Sequence, residues 1–535
     1  MSVTGWLIFI VIVQVIHFAG TWKLYEKAGR KSWEAAIPVY NAIVLMKIIN
    51  RPTWWTILLF IPVINLILFP VIWVETLRSF GKNSTLDTIL AVLTLGLYVA
   101  YVNYTKDVEY INNRSLTPVN KGAETVSSLL FAVVVATFVH TYFIQPYTIP
   151  SSSLEKSLLV GDFLFVSKFH YGARTPMTAV AAPMVHDTLP FVKVKSYLYD
   201  DSNKTSWKNK LQLPYFRFPS FEKINRNDIV VFNWPADTLF HMYKTADRRY
   251  SKPIDKKTNY VKRCTAIAGD TLSIVNGIVF INGKESMLPE RARPQYSYKV
   301  AIDGKTSINF EYLLEELNIT DGAYQIAPDT IVFSALPFDN AERLKNIPGI
   351  TQVKRIINQG SEDGIFPDFG DGKPSKTRNW NKDNMGPIYI PEAGKTVTLT
   401  RENLPFYKKV ISEYEGNKLE VSENEIKIND KTETTYTFKQ DYFWMMGDNR
   451  HNSLDARYFG FTPADHIVGK PIFIWMSWNS TGKGIANKIR WERLFTTVSG
   501  EGQPQSYFKY FLFLLAVYFV GDYFWKKKKE KELNN

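Results

Sequence analysis

The chain has 535 residues, a formal net charge of +13, a mean hydropathy of −0.15 and one cysteine, Cys264. That length suffices for several domains, and a single thiol excludes an internal disulfide framework. The positive charge does not single out nucleic acid: Lys and Arg are spread along the chain apart from the run Lys526–Lys529, and no stripe of basic and aromatic residues accompanies them.

The average hydropathy hides a split. The chain is strongly apolar up to about residue 145, polar and aromatic in the middle, and apolar again before a basic tail. Apolar runs of membrane-spanning length occur near 3–20, 54–75, 86–104 and 125–144, with a weaker one near 507–525. The first run has no basic residue before it, and Lys23, Lys27, Arg30 and Lys31 follow it. That polarity is wrong for a cleaved secretory signal and predicts an anchor with its N-terminus outside. Lys106, Arg114 and Lys121 then fall inside, the fourth run exits near Pro146, and the tail returns inside. The segment 32–52 contains Pro38 and Lys47 and reads as an interfacial helix.

Beyond residue 146 the pattern is mostly strand. FLFVSKF, DIVVFNW, YVKRCTAI, FWMMG and GKPIFIWMSW are short β-branched and aromatic runs bounded by Gly, Asp and Asn. IVNGIVFING predicts a hairpin turning at Asn-Gly. From about 295 to 358 the reading becomes strand, helix, strand, helix, strand, a small α+β insertion on a β scaffold. Residues 360–392 are rich in Gly, Asp, Lys and Pro and read as loop.

Three stretches could carry chemistry. In YTIPSSSLEKSLLVGD, Ser151, Ser152 and Ser153 follow a proline just after an apolar run. No GxSxG elbow accompanies them; a histidine-based triad stays open but unsupported, with His17 and His140 in predicted spans and His170, His186, His241, His451 and His466 scattered. No His or Cys cluster has metal-ligand spacing, and no cofactor is called for. A lysine can replace histidine as base if desolvation or a nearby cation lowers its pKa from about 10.4. In NYVKRCTAIAGD, Lys262 lies in an apolar strand beside Arg263, on the face opposite Val261. The third stretch, MMGDNRHNSLDARYFGF, sets Asp448, Asn449, Arg450, Ser453, Asp455 and Arg457 between apolar strands, as a cross-braced turn requires.

Taken together and in order, IPSSSLEKSLLVGDFLFVSKF, DIVVFNWP, YVKRCTAIAGD and GDNRHNSLDARYFGF resemble the motifs of bacterial type I signal peptidase, the membrane-bound Ser-Lys endopeptidase. The resemblance covers about 125–280 and 440–478 and leaves the first three spans and the insertion as additions. It implies that Ser153 is the nucleophile and Lys262 its base. Ser151 would share the oxyanion hole with the Ser153 N–H, and Ser453 would orient the lysine. Asp455 with Arg457, and Asp448 with Arg263, would be bracing pairs. The chain departs from the pattern at Leu154, at Glu155, Lys156 and Ser157, at Ala268–Asp270 and at Ala456.

The implied fold is a membrane-anchored, mainly β protein with about five transmembrane helices. It divides into a membrane region at 1–121, a span leading into the catalytic domain at 122–146, a peptidase domain in two parts at 147–282 and 396–480, an α+β insertion with loop at 283–395, and a C-terminal span and tail at 505–535. The implied reaction is cleavage of signal peptides from exported preproteins after small residues. The substrate would lie extended beside Tyr147–Pro150, with Ile149 and Val261 narrowing its pockets. Preproteins and the lipid bilayer are the implied partners, on the outer side of the cytoplasmic membrane. A catalytically inactive relative that only binds exported chains, and a transporter built on the apolar half, are the rival readings.

Overall fold

Pro62 and the Leu95–Gly96 pair cut the N-terminal apolar region into shorter helices than hydropathy alone suggests. The structure is a computed structural model and describes residues 3–117, 121–203, 205–240, 248–317, 319–368, 378–422, 425–480, 482, 484–500 and 502–533. The sequence-stretch containing His241 lies outside them. Two units divide the chain, one of residues 1–143, 174–218 and 238–256, the other of 144–173, 219–237 and 257–535.

In the first unit, Val3–Lys27 and Lys121–Tyr142 are continuous helices, long and apolar enough to cross a membrane. The runs near 54–75 and 86–104 are not single helices. The first breaks into Trp55–Leu58 and Ile64–Ser79, the second into Thr85–Leu93 and Leu97–Thr105. At the first break Pro62 removes a backbone donor and Val63 takes a positive φ. Leu95 and Gly96 both adopt positive φ, and a Cβ on Gly96 would come within 2.6 Å of the Trp73 ring, so the break lets that indole pack. The segment read as interfacial is a 3-10 turn at Ser32–Ala35 and a helix at Tyr40–Ile48. Its Val44, Met46 and Ile48 are buried in the unit's core with Leu24, Leu68, Ile72 and Val102. Glu75, also buried there, is matched by Arg51 at 2.9 Å, Arg78 at 3.5 Å and Arg114.

The second unit is built on an eight-stranded antiparallel sheet. β1 (Ile144–Thr148) pairs with β2 (Asp162–Ser167), β2 with Ile467–Ser477, and that long strand with β3 (Ile229–Asn233). β3 pairs with β4 (Asn259–Ala266), and β4 with Tyr442–Met446. Its apolar cluster includes Leu154, Leu158, Leu164, Val166, Ile229, Val231 and Ile474. Asn276 and Gly277, both at positive φ, turn the hairpin between Thr271–Val275 and Ile278–Ile281, as Asn-Gly predicts.

The α+β stretch forms its own four-stranded sheet, in the order Ile350–Arg355, Gln295–Ile302, Thr330–Pro337, Ala323–Ala327, with helices Phe310–Glu316 and Phe338–Lys345. The run YQIAPDTIVFSAL, read as one strand, is a hairpin, because Pro328 and Asp329 turn the chain. Among the described residues, the C-terminal helix Phe508–Leu533 is the third with the length and apolarity to span a bilayer.

Candidate active site

Pro150 ends the extended run after β1, and a 3-10 turn at Ser152–Leu154 follows. Leu154 and Leu158 anchor the turn by complete burial in the apolar cluster. Backbone hydrogen bonds Ile149 N to Asp162 O and Gly161 N to Ile149 O, both 2.9 Å, close the loop on itself. Ser153 therefore sits in a short, pinned turn and is 8 % exposed.

Lys262 reaches the same place from the middle of β4, opposite Val230 of β3. Its Nζ donates a hydrogen bond to Ser153 Oγ. Strand alternation sends its neighbours Val261 and Arg263 to the other face. Lys262 is 4 % exposed, and burial lowers its pKa from 10.5 to about 8. Asp455 and Asp448 pull the other way, while Arg457 adds to the lowering. Arg263, the cation expected to depress this amine, is turned away and committed elsewhere. Its Nε and Nη2 donate to Asp448 at 2.8 and 2.6 Å, and its Nη1 to the Asn227 carbonyl at 2.8 Å. Ser157 Oγ donates to the same carboxylate at 2.5 Å.

The second pair is also bidentate. Arg457 Nε and Nη2 donate to Asp455 at 2.9 and 2.7 Å, and the Gly447 N–H donates to Asp455 at 3.0 Å. Burial works against the charge on Asp455, but Arg457, the Gly447 N–H and Lys262 hold its carboxyl below the usual range. Both ion pairs are buried, so removing one partner would strand the other charge at a cost of roughly 3–5 kcal/mol.

The structure thus brings Ser153 and Lys262 together and pairs Asp455 with Arg457 and Asp448 with Arg263. Ser151 stands at the entry to the turn with an exposed side chain and an extended backbone (φ −135°, ψ 156°). Ile149 and Val261 meet in one apolar cluster, Ile149 almost wholly buried and Val261 half-buried at its margin. Ser453 departs from expectation. Its Oγ is buried and makes no hydrogen bond among the described residues, so no bond joins it to Lys262. The reason is geometric: the amine is directed at Ser153, and Ser453 packs against Gly447. Three of the described histidines are engaged elsewhere, His451 with Asp383 at 2.9 Å, His466 with Asp465 at 2.6 Å and His170 with Ser167.

Two residues given no individual role by the motifs hold the turn. Asn449 N donates to Ser153 O at 3.1 Å. Gln295 Nε2 donates to Glu155 O at 2.9 Å, while Gln295 exchanges backbone bonds with Asp448 and Arg450 at 2.8 and 2.9 Å. Asn449 carried a signal in the dense polar loop; Gln295, nearly 150 positions from the serines, carried none.

The family described as "Signal peptidase, peptidase S26" matches residues 122–335 and 388–478, more than half of the chain. The chain belongs to this family. It is a serine endopeptidase of the signal-peptidase type. A signal peptidase I of Buchnera aphidicola (subsp. Acyrthosiphon pisum) is 24% identical over 77% of this chain and 97% of its own length. Those of Haemophilus influenzae and Helicobacter pylori (strain 26695) are 21% and 24% identical, covering 72% and 70% of this chain and 78% and 92% of their own lengths. A family of unknown function (DUF5684) matches residues 33–113, within the first unit.

Gly447 is tightly packed against the serine turn. A Cβ there would lie 2.3 Å from Ser453 Oγ and 2.6 Å from Ser153 O. Gly447→Ala should therefore displace the serine turn and reduce preprotein cleavage by roughly 100-fold while the protein still inserts in membranes. Steady-state cleavage of a preprotein checks this, and a near-wild-type rate would mean that the turn yields to a methyl group.

Proposed function

We propose that the protein cleaves N-terminal signal peptides from exported preproteins, with Ser153 as nucleophile and Lys262 as general base. The observation that carries this reading is the hydrogen bond from the buried Lys262 amine to Ser153 Oγ. A neutral amine there takes the hydroxyl proton as Oγ attacks the scissile carbonyl. The Ser153 N–H and the Ser151 hydroxyl, on an exposed residue at the entry to the turn, receive the oxyanion. A donor of this kind is typically worth roughly 3–4 kcal/mol to the transition state. Protonated Lys262 delivers its proton to the leaving amine, and then activates the water that hydrolyses the acyl-enzyme. Asp455–Arg457 and Asp448–Arg263 keep the two loops in register, and Ser453 forms part of the wall beside Gly447. The substrate runs extended along the segment Tyr147–Pro150, with small side chains at the first and third positions before the cut set against Ile149 and Val261.

Ser153→Ala and Lys262→Ala should each abolish cleavage while leaving the protein folded and membrane-bound. Preprotein processing by each purified variant tests this. Near-normal turnover by Lys262→Ala would return attention to the histidines.

Because the base must be neutral, kcat/KM should rise through a single ionisation near pH 8 and stay high above it. At pH 7 roughly a tenth of the enzyme is then competent. The stability consequence has the opposite ring to a salt bridge. Below about pH 8 the folded state carries a buried ammonium at full cost, and that cost fades as pH rises towards 10.5, where the unfolded lysine also loses its proton. A pH–rate profile whose acid limb lies near 10, or near 6.5, would contradict Lys262 as the titrating base.

We infer further that the second unit's sheet lies outside the cytoplasm. The basic residues after the first apolar helix and the Lys526–Lys529 tail support this orientation, and counting each broken stretch as one crossing gives about five passes. Ser361, in an exposed stretch, and Lys531, in the exposed tail, are the diagnostic positions, and the native Cys264 is buried. In intact cells, Ser361→Cys should react with an impermeant thiol reagent and Lys531→Cys should not. The reverse pattern would invert the topology.

A further inference from the structure

The insertion sends one turn back to the serines. Thr320 and Asp321 lie between the helix Phe310–Glu316 and the strand Ala323–Ala327. The Asp321 carboxylate accepts hydrogen bonds from two amide side chains of the polar loop, Asn449 Nδ2 and, at 3.0 Å, Asn452 Nδ2. Those same amide groups grip the nucleophile turn. Asn449 Nδ2 donates to the Ser152 carbonyl at 3.3 Å, and Asn452 Nδ2 to the Ser152 hydroxyl at 3.1 Å. The Asn449 backbone N–H completes the grip on the Ser153 carbonyl at 3.1 Å. Beside this chain, the Thr320 hydroxyl hydrogen-bonds the buried Glu155 carboxyl, two residues past the nucleophile.

We propose that Asp321 is a positioning residue for the peptidase reaction: its carboxylate fixes the Asn449 and Asn452 side chains, which in turn fix the peptide units flanking Ser153. This deepens the reading above and rests on Ser153 being the nucleophile.

The physical argument is one of orientation. An Asn side chain that donates to a backbone carbonyl is free to rotate unless its second N–H is also engaged. One carboxylate accepting from two such amides holds both rotamers at once, and a charged acceptor makes each bond stronger than a neutral one. The peptide before Ser153 carries the N–H offered to the oxyanion, and its tilt follows the Ser152 carbonyl that Asn449 holds. Small errors in that tilt are expensive for the transition state and nearly free for binding the ground state. The fall therefore belongs in kcat. Lys262 is not part of this chain of contacts, so its titration should be untouched. The arrangement also gives the insertion a catalytic consequence, although it supplies no atom to the reaction.

The test uses the full-length protein in detergent or nanodiscs with a preprotein substrate. Asp321→Ala should lower kcat by roughly 10- to 100-fold, with KM within about threefold and the acid limb unmoved. Asp321→Asn keeps an acceptor oxygen at the same reach and should recover most of that loss. It also serves as the working variant if Asp321→Ala does not fold. In an Asn449→Ala, Asn452→Ala background the Asp321 substitution should add little, because its effect runs through those two side chains. An Asp321→Ala enzyme with wild-type kcat, or a loss that persists in full in the double-alanine background, overturns the proposal. Ser153→Ala separates the two levels: residual cleavage there sinks the nucleophile assignment, whereas an inactive Ser153→Ala beside a fully active Asp321→Ala sinks only the role of Asp321.

Discussion

The site depends on a lysine amine kept out of water. Burial pushes Lys262 from 10.5 to about 8, a shift of roughly 3 kcal/mol towards the neutral form. That shift survives only if the nearby carboxylates are already spent. Asp455 attracts the ammonium, and an unpaired Asp455 would hold the proton on Lys262. The bidentate bond from Arg457 spends that charge, and Arg457 itself disfavours a second cation nearby. The ion pair is thus less a source of stability than a way of placing a carboxylate beside the amine without recharging it.

The second pair performs a related task on the other face of β4. Lys262 and Arg263 are consecutive, so the strand's alternation sends one to the serine and the other to Asp448. Asp448 is then tied to Ser157, four residues past Ser153, through the Ser157 hydroxyl. Two successive residues of one strand therefore lock both ends of the serine turn. This explains how a turn with Glu155, Lys156 and Ser157 in place of a more rigid sequence remains pinned. Burial of Leu154 and Leu158 supplies the apolar half of the same restraint.

The first unit obeys a different logic. Its helices Ile64–Ser79, Thr85–Leu93 and Leu97–Thr105 are short, and buried Glu75 holds three arginines. A carboxylate buried among guanidinium groups is costly unless paired, and here the pairing draws Arg51 and Arg114 from connecting segments onto one helix. That charge cluster, with the Gly96–Trp73 contact, gives this region a core of its own rather than a set of independent apolar rods.

By itself the sequence determined the elements that depend on local chemistry. The Asn-Gly hairpin, the alternation across β4, the two long N-terminal apolar helices and the serine, lysine and Asp-Arg stretches were all legible, because each rests on residues within a few positions of one another. Tertiary structure decided what depends on packing between distant segments. Hydropathy could not see that Pro62 and Gly96 break two apolar runs, since a window average ignores backbone geometry. It was the fold that put Arg457 near Lys262, because a turn unites Asp455 and Arg457 and tertiary packing brings that turn to β4. Ser453 was expected to bind the amine, yet one amine directed at Ser153 leaves that hydroxyl against Gly447. Gln295 meets the Glu155 carbonyl and Asp321 the Asn449 and Asn452 amides across more than a hundred residues, and such contacts leave no local period or spacing to read.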